Sequence, residues 1–113
     1  MTGAIPEIRP EDAEAQVREG AVLLDVREPE EWANGHAPGA EPLPMGQIVD
    51  AIDRVPKDRR IVAVCRSGAR SGRVTEFLAA QGYDCVNLAG GMNAWVAAGL
   101  PVVTDDGGPG TVA

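Results

Sequence analysis

The chain is short of the residues that build metal sites and disulfide scaffolds: its 113 residues include two cysteines and one histidine. Cys65 and Cys85 stand twenty positions apart, outside any CxxC pattern, and His36 is the sole imidazole. That set is too small and too scattered for a zinc site, and it points to free thiols in a reducing compartment. Positive charge is also scarce, with ten Lys and Arg against seventeen Asp and Glu, a formal net charge of −7 and a pI of about 4.5. Nucleic-acid and anionic-membrane surfaces need clustered basic residues, so neither partner is expected. No apolar run approaches the ~18 residues of a membrane span, and the first seven residues lack a basic segment followed by an apolar core. These absences lead to the expectation of a cytoplasmic protein with no metal and no cofactor.

What is present is a regular alternation of apolar strands and amphipathic segments, without repeats. A short strand is expected at Glu7 and Ile8. Pro10 at a first helical position, followed by Glu11 and Asp12, opens a helix to about Arg18 that Gly20 ends. The run 21–26 reads as a buried strand broken by Asp25, residues 28–32 as a brief helix closed by Gly35, and 36–44 as a loop around a short strand at 40–42. A short helix over 47–52, a strand over 61–64, a helix to Gln81, a strand over 85–88 and a helix over 92–97 follow. Strands buried on both faces and alternating with helices indicate an α/β fold, a parallel sheet of about five strands with helices on either side. Residues 1–103 are expected to form one domain. Residues 104–113, rich in Gly, Pro and Asp, are expected to be a disordered tail.

Cys65 sits where the β-branched run of 61–64 meets the polar stretch Arg66-Ser67-Gly68-Ala69-Arg70-Ser71, which turns into a helix with Val74, Phe77 and Leu78 on its core face. In open parallel sheets ligands bind outside the carboxyl ends of the strands. The thiol therefore occupies such an end, beside the unpaired N–H groups of a helix start. Charge marks the same place. Arg59, Arg60, Arg66, Arg70 and Arg73, half of the basic residues, lie within fifteen positions that contain no acid. Arg70 opposes the macrodipole of the helix it begins, a conflict that a bound anion removes. Each tenfold gain in thiolate requires about 1.4 kcal/mol of preferential stabilisation. A helix terminus supplies about 0.3–1 kcal/mol, whereas a hydrogen bond to a charged acceptor supplies about 1.5–3 kcal/mol. Loop amides must therefore do most of the activation, and small residues at Ser67, Gly68 and Ala69 suit a loop whose N–H groups turn inward.

Other residues have structural readings. Asp25 and Arg27 read as an ion pair steadying the loop, His36 as a hydrogen-bonded turn residue, Cys85 as a packed thiol, Arg73 as solvated charge, and Trp32 and Trp95 as core. Gly107-Gly108-Pro109-Gly110 has no helix behind it and is no phosphate loop.

The stretch Cys65-Arg66-Ser67-Gly68-Ala69-Arg70-Ser71 resembles the active-site loop of the rhodanese family. So do Leu24-Asp25-Val26-Arg27-Glu28-Pro29-Glu30-Glu31-Trp32, Gly35-His36-Ala37-Pro38-Gly39-Ala40, and Gly90-Gly91-Met92-Asn93-Ala94-Trp95 with Gly99-Leu100-Pro101-Val102 behind it. The likeness runs in family order from about Glu7 to Val103, with Ala37 where a bulkier apolar residue is more usual. It implies a single-domain rhodanese fold and a thiosulfate sulfurtransferase: Cys65 takes the sulfane sulfur of thiosulfate as a persulfide and yields it to cyanide or a thiol. Thioredoxin or a sulfur-carrier protein would be a protein acceptor. By the same resemblance Arg66, Ser67, Gly68, Ala69 and Arg70 bind the substrate. Related phosphatases and arsenate reductases have five residues between Cys and Arg. Here four separate Cys65 from Arg70, and Arg at positions 66 and 70 resembles thiosulfate-using rather than mercaptopyruvate-using members. A non-catalytic or redox-sensing rhodanese-like module is the alternative, since an accessible low-pKa thiol serves both roles.

Overall fold

The wholly apolar segment Ile61–Val64 is the central strand of the molecule, and none of its four residues is exposed. The computed structural model describes residues 5–112. Residues 1–4 and 113, which carry part of the leader reading and the last residue of the expected tail, lie outside the described residues. Strands β1 (Glu7–Ile8), β2 (Val22–Asp25), β3 (Glu41–Pro42), β4 (Ile61–Val64) and β5 (Cys85–Leu88) alternate with helices α1 (Pro10–Arg18), α2 (Pro29–Asn34), α3 (Ala69–Ala80) and α4 (Gly91–Ala97). Every pairing is parallel, in the order β1-β5-β4-β2-β3, and β4 sits between β2 and β5.

Alternation along β4 divides the core. Ile61, Ala63 and Cys65 pack with Leu24, Val26, Val74 and Leu78 on the α3 side, whereas Val62 and Val64 pack with Ala13, Met92 and Trp95 on the side of α1 and α4. The period of two thus carries Cys65, the residue after the strand, toward α3 and its N-terminal turn. Among the described residues no helix is long and apolar enough to cross a membrane.

Three sequence expectations change. Residues 47–52 do not form an α-helix; short 3₁₀ turns at Met45–Gln47 and Ile52–Arg54 flank a run of turns that buries Ile48. Gly46, Asp50 and Asp53 favour turns over a helix interior. Residues 104–112 are not a disordered tail. His36 and Val103 exchange both backbone hydrogen bonds at 2.9 Å, Gly110 N–H donates to Val102 carbonyl and Thr111 N–H to Asn34 carbonyl, each at 2.9 Å. Close approach of glycines permits this: a Cβ on Gly110 would lie 2.8 Å from the Gly35 Cα. Backbone pairing orders a segment that has no apolar periodicity. Trp32 is only half-buried. Its ring stacks on His36 at 3.5 Å between centroids, and its indole N–H donates to Asp105 of the returning segment.

Candidate active site

The loop between β4 and α3 wraps the Cys65 sulfur. Gly68 N–H donates to Sγ at 3.1 Å, and the Ser71 hydroxyl lies 3.3 Å from it. Gly68 caps α3 with a φ of +111°, a left-handed conformation that glycine adopts without strain and that turns its amide toward the sulfur. The backbone behind the loop is held by the start of α4: Met92 N–H donates to the Cys65 carbonyl at 2.8 Å and Asn93 N–H to the Arg66 carbonyl at 3.0 Å. With these carbonyls drawn outward, the loop amides are left facing inward. Gly91 makes this contact possible, because a Cβ there would fall 2.5–2.6 Å from the Cys65 and Arg66 backbone.

Cys65 is 1% exposed. Burial alone pushes its thiol up, but the Ser71 hydroxyl and the backbone N–H groups of Ser71, Gly68 and Ser67 outweigh burial and hold it below the ordinary thiol value. Hydrogen bonds to the charged form favour ionisation. The Cys65 sulfur thus lies at the floor of a nest of donors that favour its ionisation.

Arg66 and Arg70 differ. Arg66 is exposed and has no acidic partner among the described residues. Arg70 places both terminal nitrogens on Glu31, at 2.7 Å to Oε1 and 2.8 Å to Oε2. Glu31 also accepts from Glu28 N–H at 2.9 Å, so one carboxylate both starts α2 and clamps it to the Cys65 loop. The Arg70 hydrogen bonds, opposed by partial burial, bring Glu31 down to about 2. Arg70 is raised in turn, first by Glu31. The expected pair of anion-facing arginines is thus one free cation, Arg66, and one fork already occupied by a carboxylate.

Asp25 and Arg27 form a buried pair at the end of β2, with Arg27 Nε 2.9 Å from Asp25 Oδ1 and Arg27 Nη2 2.7 Å from Oδ2. Arg27 also donates to the Gly35 carbonyl at 2.8 Å, tying the strand end to the turn after α2. The pair touches neither Cys65 nor its loop directly. Ser67 and Ala69 are exposed on the loop. His36 Nδ1 lies 3.0 Å from the Trp32 carbonyl and donates to it, as the turn reading has it, with no contact to the sulfur. Cys85 pairs with Ile61 at the start of β4, so roughly 13 Å of strand separates it from Cys65 at ~3.3 Å per residue. Burial pushes Cys85 up to about 11.

Sequence reasoning assigned no site role to Ser71, Glu31, Asn87 or Glu7. Asn87 carried a signal: an amide in the middle of an otherwise apolar strand must find partners when buried.

A parallel α/β sheet with a cysteine cradled by loop donors between a strand end and a helix start defines a class of cysteine-loop proteins. Within it, residues 9–98 match the Rhodanese-like domain family model, and the chain belongs to that family. It is 47% identical over 90 residues to a sulfurtransferase of Allochromatium vinosum, covering 79% of this chain and 84% of that protein. It is 39% identical over 103 residues to the thiosulfate sulfurtransferase GlpE of Actinobacillus succinogenes, covering 89% and 93%. The crystal structure of a rhodanese-related protein from Thermoplasma volcanium superposes with a TM-score of 0.84 at 28% identity, covering 88% of this chain and 99% of that one.

Proposed function

We propose that the protein is a thiosulfate sulfurtransferase that carries sulfur as a persulfide on Cys65. The observation that carries this reading is the Cys65 sulfur met by Gly68 N–H and the Ser71 hydroxyl, which help hold its thiol below the ordinary value, in a loop with four residues between Cys65 and Arg70. The names of the relatives support the reaction class. The thiolate attacks the outer sulfur of thiosulfate. A sulfur–sulfur bond forms to Cys65, the bond to the sulfonate breaks, and its electron pair leaves with sulfite. The three negative charges of the reactants reappear as one on the persulfide and two on sulfite. An acceptor nucleophile, cyanide or a thiolate, then attacks the terminal sulfur and returns Cys65 as thiolate. No oxidant is consumed, and a pre-formed thiolate needs no general base.

Inward amides suit the persulfide anion, while exposed Arg66, next to Cys65 in the chain, is the cation available to the incoming sulfonate. The supporting residues Asp25 and Arg27 hold the strand end in place and take no part in the chemistry. Cys85 is too distant to resolve the persulfide, so the acceptor comes from outside, a small thiol, cyanide, or a protein thiol of the thioredoxin or sulfur-carrier kind. Intact-protein mass spectrometry after thiosulfate tests the reading. A gain of one sulfur in the native protein and none in Cys65→Ser is expected; no adduct, together with phosphate release from an aryl phosphate, overturns it.

A further inference from the structure

Asn87 lies in the middle of β5, is 1% exposed, and reaches the Cys65 loop from the neighbouring strand. Its Nδ2 donates to the Gly68 carbonyl at 3.1 Å and to Glu7 Oε2 at 3.1 Å, and its Oδ1 accepts from the Ser71 hydroxyl at 2.6 Å. A carbonyl and a carboxylate are acceptors only, so the amide has one orientation, nitrogen toward Glu7 and Gly68, oxygen toward Ser71. All its hydrogen-bonding capacity beside the loop is directed at two residues, and these two are the residues whose N–H and O–H meet the Cys65 sulfur.

Gly68 is the most mobile type of residue the loop could carry, and its N–H can serve the sulfur only if the residue's φ and ψ are held. Asn87 holds the carbonyl of that same residue, together with Gly72 N–H at 2.9 Å. Ser71 has one proton and three acceptors within reach, Asn87 Oδ1 at 2.6 Å, Cys65 Sγ at 3.3 Å and the Gly68 carbonyl at 3.4 Å. Asn87 Oδ1 only accepts, so it holds the hydroxyl through that proton, and Sγ shares it as the longer branch of a forked bond.

Resting on the reading of Cys65 as the sulfur-carrying nucleophile, we infer that Asn87 is a positioning residue that sets the ionisation of Cys65 by holding the Gly68 amide and the Ser71 hydroxyl against its sulfur, with Glu7 anchoring Asn87 from the sheet edge. Asn87 touches no reacting atom. The charged groups around the thiol are Arg70, itself paired with Glu31, exposed Arg66 beside it in the loop, and Glu7 beyond the amide. Replacing Asn87 leaves all of them in place.

The test is the pH dependence of Cys65 alkylation by iodoacetamide, read on the Cys65 peptide by mass spectrometry so that Cys85 does not contribute. This readout reports the thiolate whether or not the protein transfers sulfur. A failed transferase reading, with no persulfide after thiosulfate, is therefore distinguished from failure of this inference. In Asn87→Ala the midpoint is expected to rise, with alkylation at pH 6 slowed about 3- to 10-fold, since tenfold in thiolate corresponds to one pH unit. Thiosulfate turnover lost near neutrality should return at high pH. A midpoint that stays or falls, with activity lowered equally at every pH, overturns the inference and leaves Asn87 a packing residue. Should Asn87→Ala fail to fold, Glu7→Ala decides: a smaller upward move of the midpoint, absent in Glu7→Gln, supports the inference, and an unchanged midpoint overturns it.

Discussion

Cys65 and Cys85 are 1% and 3% exposed, lie at opposite ends of neighbouring strands, and both are pushed up by burial. Cys85 stays up, at about 11, because burial is only partly offset by the Thr75 hydroxyl at 3.7 Å. Cys65 ends below the ordinary value because a glycine amide at 3.1 Å, a serine hydroxyl at 3.3 Å and further loop amides favour its charge. At similarly low exposure, the donors aimed at each sulfur set the direction in which its thiol is moved. A strand end that opens into an amide nest lowers a thiol; a strand start packed under a helix leaves a small hydrophobe.

The sharpest way to break that comparison is to remove each sulfur in turn. Cys65→Ser should abolish persulfide formation and thiosulfate turnover. Cys85→Ala should keep the turnover while lowering stability by about 1 kcal/mol through the small cavity it leaves, a loss seen as an earlier denaturant midpoint. Retained transfer in Cys65→Ser, or its loss in a folded Cys85→Ala, would reverse the two roles.

The next largest effect tests the donors. Ser71→Ala removes one hydrogen bond to a charged acceptor, typically about 1.5–3 kcal/mol. At 3.3 Å to a sulfur the low end applies, so the thiolate population below the midpoint should fall about tenfold. The sign follows from the lowered thiol: its contribution to stability is fully present above the unfolded thiol's value and fades as pH falls through the folded one. Activity should rise with pH through the folded midpoint, and Ser71→Ala should move that rise upward. Glu31, down at about 2, contributes fully above the ordinary carboxylate value of 4.5 and loses its share only between there and about 2. It cannot produce a transition near neutrality. An identical rate profile in Ser71→Ala would show that the amides suffice without the hydroxyl.

The central strands were legible as short apolar runs, and the helices by Pro at the start of α1 and α2, Gly after α1, α2 and α4, and the apolar spacing of α3. The Cys65 loop was legible because charge and small residues are concentrated within it. What escaped is long-range. Asn87 meets Glu7 across eighty positions and Arg70 meets Glu31 across thirty-nine, and no local pattern links such pairs. The segment after Val103 escaped for a related reason: it is ordered by backbone bonds to Asn34 and Val102 and by the close approach of Gly35 and Gly110, features that leave no apolar periodicity. A residue's type was visible in the chain; whether its side chain was already taken by a distant partner was not.

That distinction bears on the two loop arginines and gives the smallest expected effect. Arg66 is exposed with no acidic partner among the described residues, and Arg70 is held by Glu31. Arg66→Gln should raise the KM for thiosulfate about 3- to 10-fold at low ionic strength with kcat nearly unchanged, and the difference should shrink in high salt, where exposed charge is screened. Arg70→Gln should act differently, because it leaves the Glu31 carboxylate without its partner and frees α2 from the loop. Its loss should fall on kcat as well as KM and persist in salt, and Glu31→Gln should reproduce the loosened clamp without the stranded charge. Steady-state kinetics at two ionic strengths separate the cases. A salt-sensitive KM effect in Arg70→Gln and none in Arg66→Gln would mean that thiosulfate displaces Glu31 from the Arg70 fork, making the clamp itself the anion site.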